Sequence, residues 1–237
     1  MSTQVEKSNG KKTKPAIGQP AKDDSIRTLS PKLCEAVIPI RGLTELITHQ
    51  WAEKSKAEIR GKQGHKAKGP KEARDPEAEF EAAKYRTAEG KDAIYAGCFR
   101  NAIVSAGRFT DKALPMTRIS AAIWIVDRNI PIEFEECHMR EDPVRVGGKG
   151  PGTGTASLAY RPGYTNWSCT LRIEFDSSLI SIEQLLSLVE SAGFRIGICE
   201  WRPEKLKGEF GRFEIAGNIK VIEKKRKEKK YSFVVAD

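Results

Sequence analysis

The stretch that decides the fold runs from residue 181 to residue 215 and reads SIEQLLSLVESAGFRIGICEWRPEKLKGEFGRFEI. Its first part predicts a helix, because Ser181 and Gln184 form a capping-box pattern and apolar residues then recur at helical spacing. Residues 196–198 and 213–215 alternate between apolar and less apolar side chains, which is typical of half-buried strands. We therefore expect a helix, a strand, a long loop and a second strand.

The loop between these two strands contains the residue types of a nucleic-acid-binding surface. An aromatic ring for base stacking, cations for phosphates and glycines that allow close backbone approach occur together in it. The candidate binding residues are Trp201, Arg202, Lys205, Lys207 and Arg212. The structural alternative is a hairpin in which the tryptophan covers the edge of the core and the cations are solvated.

The rest of the chain alternates between strand and helix patterns. Two strands are predicted near its middle, and the turn between them carries Arg161 and Tyr164, which we expect to be exposed and available to a ligand. The predicted elements are a strand at 34–40, a helix at 43–57, a helix from Asp75-Pro76, a helix capped by Asp92, a central buried strand at 119–126, a strand at 130–134, an edge segment at 139–146 and strands at 156–160 and 167–175.

This order predicts an α+β protein with antiparallel sheets and helices on one face. Two split βαβ halves in one domain, the ferredoxin-like arrangement, accommodate it. We expect a disordered basic N-terminal arm at 1–32, an α+β domain at 33–218 with a basic insertion at 54–74, and a basic tail at 219–237.

The positive charge of the chain is concentrated in the predicted arms. The 237 residues carry a net charge of +9, and the segments 1–33, 51–74 and 220–230 hold more than that whole excess, so the remainder is net negative. Basic arms commonly add salt-sensitive affinity for phosphate backbones, although they also serve as solubilising tails. In the tail, Lys224, Lys225 and Arg226 are further candidate nucleic-acid-binding residues.

Signals for a membrane, a secretory route or disulfides are not evident. The chain lacks a run of ~18 apolar residues and an N-terminal apolar segment of the signal-peptide type. Its five cysteines are widely separated, which favours a reducing compartment and predicts that all five are reduced. We expect a soluble, cytoplasmic protein.

Catalytic signals are sparse. Three histidines are few for acid–base or zinc chemistry, and Cys137 and His138, as neighbours in a strand, point to opposite faces. Four carboxylates have the chemistry to hold Mg²⁺, or form a solvated face: Glu135, Glu136, Glu141 and Asp142. We predict no resident metal or cofactor, and we favour a protein that is not an enzyme.

Four segments resemble a group of tailed-bacteriophage and prophage proteins that has no established activity. They are residues 48–56, 75–80, 139–148 and 197–213, and the resemblance spans about residues 34–216 in the same order. This resemblance implies a setting, the cytoplasm of a bacterial host cell, but no mechanism.

A looser resemblance is to the RAMP superfamily, the RNA-binding backbone subunits of CRISPR effector complexes. Those proteins have ferredoxin-like folds and a glycine-rich loop after the last helix, a position that Gly208, Gly211, Arg212 and Phe213 match. The aromatic RNP motifs of a true RNA-recognition motif are missing from this chain.

Three functions are compatible with these observations. The first is a phage-encoded protein that binds single-stranded DNA or RNA through backbone charge and stacking. The second is a structural or interaction protein with a host or phage protein as its partner, for instance an inhibitor of a host defence complex. The third is a metal-dependent nuclease that uses the four carboxylates.

Overall fold

The computed structural model describes residues 30–51, 57, 60, 61, 63, 64, 73–110, 114–147, 154–205 and 207–224. These residues, apart from Ser30, belong to one compact unit that spans Pro31–Asp237. The predicted arm up to residue 29, most of the basic insertion, the glycine-rich residues 148–153 and the tail from Lys225 onward lie outside the described residues.

The described elements follow one another in the order expected of an α+β protein. The helices are α1 (Pro76–Ala82), α2 (Ala96–Ala106), α3 (Met116–Ala122) and α4 (Ile182–Ser191). The strands are β1 (Leu33–Gly42), β2 (Leu46–Ile47), β3 (Tyr85–Arg86), β4 (Asp92–Tyr95), β5 (Ile123–Ile125), β6 (Asn129–Glu133), β7 (Glu136–Val146), β8 (Thr155–Thr165), β9 (Ser168–Asp176), β10 (Phe213–Ile215) and β11 (Lys220–Glu223).

The main sheet has a ferredoxin-like centre. Its strand order is β10-β1-β9-β6-β4-β3, with β5 paired to β9 and β11 paired to β1, and the pairings are antiparallel. The first half, β1-α2-β5, and the second half, β9-α4-β10, place their strands in the order β10-β1-β9-β5. This is the βαββαβ arrangement, so the predicted pair of βαβ halves is confirmed.

Alternation along β1 and β9 places the core on one face of this sheet. Ala36, Ile38 and Ile40 of β1 are fully buried or nearly so, as are Leu171 and Ile173 of β9. They share one hydrophobic cluster with buried residues of α2 and α4, so both long helices cover the same face, as predicted. The cluster includes Phe99, Ile103, Leu185, Leu188 and Val189.

The opposite face of β1 and β9 carries an ion-pair network. Glu35 accepts a hydrogen bond from Nε of Arg172 at 2.9 Å, and its other oxygen lies 2.8 Å from Nζ of Lys224. Lys224 also lies 3.1 Å from Glu174. Four residues near the start of the predicted tail, Lys220–Glu223, therefore belong to the sheet as β11, and the ion-pair network holds Lys224, which follows them.

A second sheet has the order β2-β8-β7. Among the residues that the structure describes, β7 pairs only with β8, and it contains Pro143, so the predicted edge position of residues 139–146 is confirmed. No helix among the described residues is long and apolar enough to cross a membrane.

Two predicted elements are wrong in type. The predicted helix at 43–57 is not helical over residues 43–51, because Leu46 and Ile47 pair with β8 as a short buried strand. Within the predicted strand 119–126, residues up to Ala122 belong to α3, and only β5 remains. Within the described part of the chain β5 pairs with β9 alone, so it is not central in the sheet. A continuous apolar run does not distinguish a buried helix from a strand.

Three local predictions, a turn, a strand and a helix cap, are also wrong. Residues 161–164 lie inside β8, and the chain reverses after them near Asn166, whose φ is 47°. Residues 196–198 do not form a strand, because α4 continues through a π-helical turn at Ala192–Ile196. Asp92 lies in β4 and does not cap α2, whose N-cap residue Tyr95 makes no side-chain hydrogen bond to the helix.

The other two capping predictions, at Ser181 and at Asp75, are confirmed. The Ser181 hydroxyl accepts a hydrogen bond from the backbone N–H of Gln184 at 3.3 Å, and the Gln184 side chain accepts one from the N–H of Ser181 at 3.0 Å. Asp75 caps α1 by accepting from the N–H of Ala78, and Pro76 is the first helical residue.

Candidate nucleic-acid interface

The loop at residues 197–212 connects the π-helical turn to β10 and is held by backbone hydrogen bonds. The N–H of Ile198 donates to the carbonyl of Gly211 at 2.9 Å, and the N–H of Gly211 donates to the carbonyl of Glu45 at 2.9 Å. The N–H of Glu200 donates to Ile47 at 3.1 Å. The 197–212 loop is therefore packed on the segment that follows β1, at one end of the main sheet.

Several residues of the 197–212 loop adopt left-handed backbone conformations. Gly211 has a φ of 68°, and a Cβ atom built on it would lie 2.0 Å from the carbonyl oxygen of Ile198, so only glycine fits. Cys199, Trp201 and Lys207 have φ values of 63°, 53° and 54° without being glycine. Such conformations cost ~1–3 kcal/mol each and concentrate at functional sites.

Trp201 partly supports the structure of the loop. Its side chain is half-buried, and its ring meets the Phe210 ring edge-on with centroids 6.5 Å apart. The guanidinium of Arg140 lies 4.8 Å from the centre of the Phe210 ring. The tryptophan is therefore a packed residue of the loop, as the structural alternative predicts, with part of its ring still accessible.

Arg202 is tied down by the loop itself. It donates to the carbonyl of Cys199 at 3.1 Å and to Glu204 at 3.2 Å, and Glu204 also accepts from Arg108. Burial opposes ionisation of Glu204, but the hydrogen bonds from Arg202 and Arg108 outweigh it and lower the pKa of this carboxyl. The charge of Arg202 is thus partly neutralised.

Lys205 and Lys207 are the accessible cations of the loop. Both side chains are exposed, and within the described residues neither one makes a hydrogen bond or an ion pair. Lys205 is close enough to Glu200 to help lower the pKa of that carboxyl, whose first cause is a hydrogen bond to His49. These two lysines are free to meet a phosphate group without first breaking an internal ion pair.

Arg212 lies beside an aromatic ring that the sequence did not single out. Its guanidinium carbon is 4.8 Å from the centre of the Phe194 ring, and Phe194 is 64% exposed. Next to it, Arg195 lies 4.9 Å from the centre of the Phe109 ring, which is 52% exposed. We call Phe109, Phe194, Arg195 and Arg212 the aromatic–arginine patch.

The patch is formed by turns that end two helices. Phe109 closes the 3₁₀ turn Gly107–Phe109 after α2, and Phe194 lies in the π-helical turn after α4. Single π turns occur frequently at functional sites. The sequence does mark Phe194, because it does not continue the helical spacing of the buried residues Leu185, Leu188, Val189 and Ala192 and because an arginine, Arg195, follows it directly.

Arg161 and Tyr164 are not exposed, so that prediction is wrong. Tyr164 is fully buried in β8, and its hydroxyl donates to Asp92 at 3.1 Å. The Arg161 side chain is 11% exposed and lies 3.8 Å from Glu200. Both residues are inside a strand rather than a turn, which explains why their side chains are covered.

Lys224 belongs to a different part of the surface from the 197–212 loop. Its ion pair with Glu35 places it near the start of β1, whereas the loop packs beyond the end of that strand at Gly42. Seven residues of extended strand separate Glu35 from Gly42, roughly 23 Å at the usual rise per residue. Lys225 and Arg226 lie outside the described residues.

The four carboxylates of the nuclease hypothesis do not converge. Glu141 and Asp142 are neighbours in β7 and so point to opposite faces, and Asp142 is paired with Arg140 at 3.0 Å. Glu135 accepts from Asn166 at the far end of the strand. In the part of the chain that the structure describes, no group of three or more His, Cys, Asp or Glu is arranged to hold a metal ion.

Comparisons with known proteins find a similar fold in a solved structure but no matching family. No family model matches the chain, and no curated protein matches it. The chain is similar to one in the cryo-EM structure of the Type III-B Cmr-beta bound to cognate target RNA, with a TM-score of 0.52 and 9% sequence identity.

What is shared is the fold. The similarity covers 81% of this chain and 61% of the solved chain, so this chain spans less than two thirds of its length. At this identity the likeness extends to the fold alone. It agrees with the α+β, ferredoxin-like fold predicted from the order of helices and strands.

Proposed function

We propose that this chain binds single-stranded nucleic acid, RNA or DNA, at the 197–212 loop and the aromatic–arginine patch. Phosphates would meet Lys205 and Lys207, and bases would stack on the exposed rings of Phe194 and Phe109. Binding of this kind is not sequence-specific, because every base offers a π face and every nucleotide a phosphate.

The observation that carries this proposal is the pairing of each exposed ring with an arginine. Exposed phenylalanine rings are costly in water, and here the guanidinium of Arg195 lies 4.9 Å from the centre of the Phe109 ring and that of Arg212 lies 4.8 Å from the centre of the Phe194 ring. A guanidinium beside an aromatic ring is able to stack on a base and to contact a phosphate at once. Lys205 and Lys207 are exposed in the loop that runs from the turn of Phe194 to Arg212, so they add positive charge to the same segment of the chain.

The fold supports the proposal as an analogy only. The similar solved protein is bound to cognate target RNA, which is a property of that protein. The resemblance to tailed-phage proteins suggests a phage-encoded protein that acts in the cytoplasm of a bacterial host. In this setting, the proposed partner is single-stranded nucleic acid of the phage or host.

A charge-reversal pair tests the proposal. The test variant is Lys205→Glu/Lys207→Glu, and the control variant is Lys91→Glu/Lys220→Glu. The control replaces one exposed lysine in the β3–β4 turn and one in β11, so the net charge of both variants changes by the same amount. Affinities for labelled single-stranded RNA, single-stranded DNA and duplex are measured by fluorescence anisotropy from ~50 mM salt upward.

We expect the loop variant to bind single strands more weakly than the control variant. Each lost phosphate contact also lowers the salt slope by ~0.7, so the slope falls by about 1.4 if both lysines contact phosphates. Equal affinities of the two variants would exclude the loop as the binding surface. An unmodified chain that binds no oligonucleotide at ~50 mM salt would refute the proposal and favour a protein partner instead.

A further inference from the structure

Arg161 of β8 is a covered arginine whose charge is incompletely compensated. Its side chain is 11% exposed, and its Nε and Nη1 atoms are shielded from solvent without a hydrogen-bond acceptor among the described residues. The acidic group paired with it there is Glu200, whose oxygen lies 3.8 Å from Nη1. Buried guanidinium groups are normally hydrogen-bonded to their partners, because unpaired N–H groups are costly. Arg161 therefore has donors left for a further anion.

The strand register places a second arginine beside Arg161. Arg140 of β7 is directly opposite it, so both side chains lie on the same face of the sheet, where like charges repel each other. Arg140 is paired with Glu45 at 2.7 Å and with Asp142 at 3.0 Å. Arg161 has no comparably close ion pair within the described residues. The uncompensated positive charge of this face is therefore concentrated at Arg161.

Glu200 of the 197–212 loop is held loosely beside Arg161. One carboxylate oxygen lies 3.8 Å from Nη1 of Arg161, and the other lies 3.7 Å from Nδ1 of His49. Both distances exceed the roughly 2.7–3.2 Å of an ordinary N–H···O hydrogen bond. The side chain of Glu200 is 26% exposed, so rotation about its bonds is able to move the carboxylate into solvent. Its backbone N–H remains bonded to the carbonyl of Ile47 at 3.1 Å during such a rotation.

The Glu200 carboxylate is itself an anion at neutral pH. Its contact with His49 lowers its pKa and, together with Arg161, outweighs the opposing effect of burial. The carboxylate thus occupies the place beside Arg161 that an external anion would take.

We propose that Arg161 is the base of a phosphate-binding site, which the Glu200 carboxylate occupies in the free chain and leaves when a nucleic-acid strand binds. A phosphodiester carries one negative charge, as a carboxylate does, and offers two oxygens to the planar fork of a guanidinium. Glu200 directly precedes Trp201 and lies in the same loop as Lys205, so a strand that binds the loop brings phosphates to it. This inference rests on the proposed function and adds that Glu200 limits the affinity.

The phosphate site is tested first with inorganic phosphate on the full chain. Glu200→Gln is compared with Glu209→Gln, which removes the same charge from an exposed position of the same loop that makes no ion pair with any described residue. Circular dichroism gives the Tm of each variant in phosphate and in chloride at equal ionic strength. We expect phosphate to raise the Tm of Glu200→Gln by about 2–4 °C more than that of Glu209→Gln, because an anion that binds the folded state stabilises it. This difference should disappear in Glu200→Gln/Arg161→Met.

The displacement of Glu200 by a strand is tested with a labelled single-stranded oligonucleotide. Fluorescence anisotropy should show that Glu200→Gln binds roughly fivefold more tightly than Glu209→Gln, because the strand no longer has to break the contacts of a partly exposed carboxylate. The additional change Arg161→Met should remove this gain and lower the salt slope by ~0.7, the share of one phosphate contact.

The outcomes separate the phosphate site from the binding function. Equal effects of phosphate on Glu200→Gln and Glu209→Gln would refute the site, and this comparison decides even if the double variant does not fold. A phosphate effect without a difference in oligonucleotide affinity would refute the displacement of Glu200 by a strand. If phosphate stabilises Glu200→Gln but neither this variant nor the parent chain binds oligonucleotide, the site takes free phosphate and the proposed function fails. If the parent chain binds oligonucleotide but phosphate has no effect on Glu200→Gln, the proposed function stands without this site.

Discussion

The guanidinium carbon of Arg212 lies 4.8 Å from the centre of the Phe194 ring, and that ring remains 64% exposed. Arg212 precedes β10, and Phe194 lies in the π-helical turn after α4, so the pair joins the two ends of the 197–212 loop. A cation over one part of a ring increases the positive potential beside a surface on which a base can stack. The Arg212–Phe194 pair therefore combines the two contributions to the proposed binding, stacking of a base on the ring and attraction of a phosphate to the guanidinium.

Phe194→Ala is expected to weaken binding of a single-stranded oligonucleotide. One base–aromatic contact is worth ~1–3 kcal/mol, which corresponds to roughly 5- to 150-fold in Kd. Fluorescence anisotropy measures the loss, and the effect should persist at high salt, since stacking does not depend on counterion release.

Trp124→Ala is the matched control for Phe194→Ala. Trp124 is 62% exposed, but it lies in β5 on the sheet face that carries Glu174, away from the patch. We expect its replacement to leave affinity unchanged. Equal losses in the two variants would mean that Phe194 is not a specific stacking residue.

Trp201→Ala is expected to lower stability as well as affinity. Its ring packs on Phe210, and a half-buried aromatic side chain contributes about 1–3 kcal/mol of the free energy of unfolding. Thermal unfolding followed by circular dichroism should show a lower Tm than that of Trp124→Ala. A Tm equal to that of the parent chain, combined with lost binding, would show instead that Trp201 acts only as a ligand contact.

The sequence predicts the parts of this fold that depend on local chemistry. The cap of α4 was predictable, because Ser181 and Gln184 satisfy each other's backbone groups within one turn. The strand at Leu46 and Ile47 was not, since the same apolar spacing fits a helix, and only pairing with distant β8 decides between them. Likewise, the apolar run around β5 became a helix-to-strand junction through contacts with α2 and β9.

The candidate site was predictable in its position but not in its key residues. The loop after the last helix was recognised from Trp201 and its neighbouring cations, whereas Phe194 and Phe109 were overlooked. Their pairing with Arg212 and Arg195 depends on how the ends of α2 and α4 pack together, and no local pattern encodes that packing.

Gly211→Ala is expected to destabilise the loop more than Gly217→Ala does. Both glycines have positive φ, 68° and 96°, so alanine is strained at either position. At Gly211, however, the new Cβ would lie 2.0 Å from the Ile198 carbonyl, whereas at Gly217 its nearest neighbour is 3.9 Å away. Urea unfolding should show ~1–3 kcal/mol of strain for both and a further loss for Gly211→Ala. Equal losses would mean that the loop shifts freely to relieve the clash.

Glu35→Gln is expected to remove a pH-dependent part of the stability. A hydrogen bond from Lys224, together with Arg172 and against the effect of burial, lowers the pKa of Glu35 below its ordinary value of 4.5. A carboxyl whose pKa is lowered by folding stabilises the protein above its unfolded pKa, and this stabilisation is lost as the pH falls through the folded pKa. Below that point the protonated Glu35 and a glutamine are both neutral.

The free energy of unfolding should therefore differ between the parent chain and Glu35→Gln by about 1–3 kcal/mol at neutral pH, the usual contribution of hydrogen bonds to a charged group. The difference should shrink as the pH falls below 4.5, the unfolded pKa from which folding lowers that of Glu35. Urea unfolding at a series of pH values measures it, and Glu133→Gln is the control, because the exposed Glu133 makes no ion pair with any described residue. A difference that stays constant down to about pH 3 would show that the shape of Glu35, and not its charge, stabilises the junction of β1, β9 and β11.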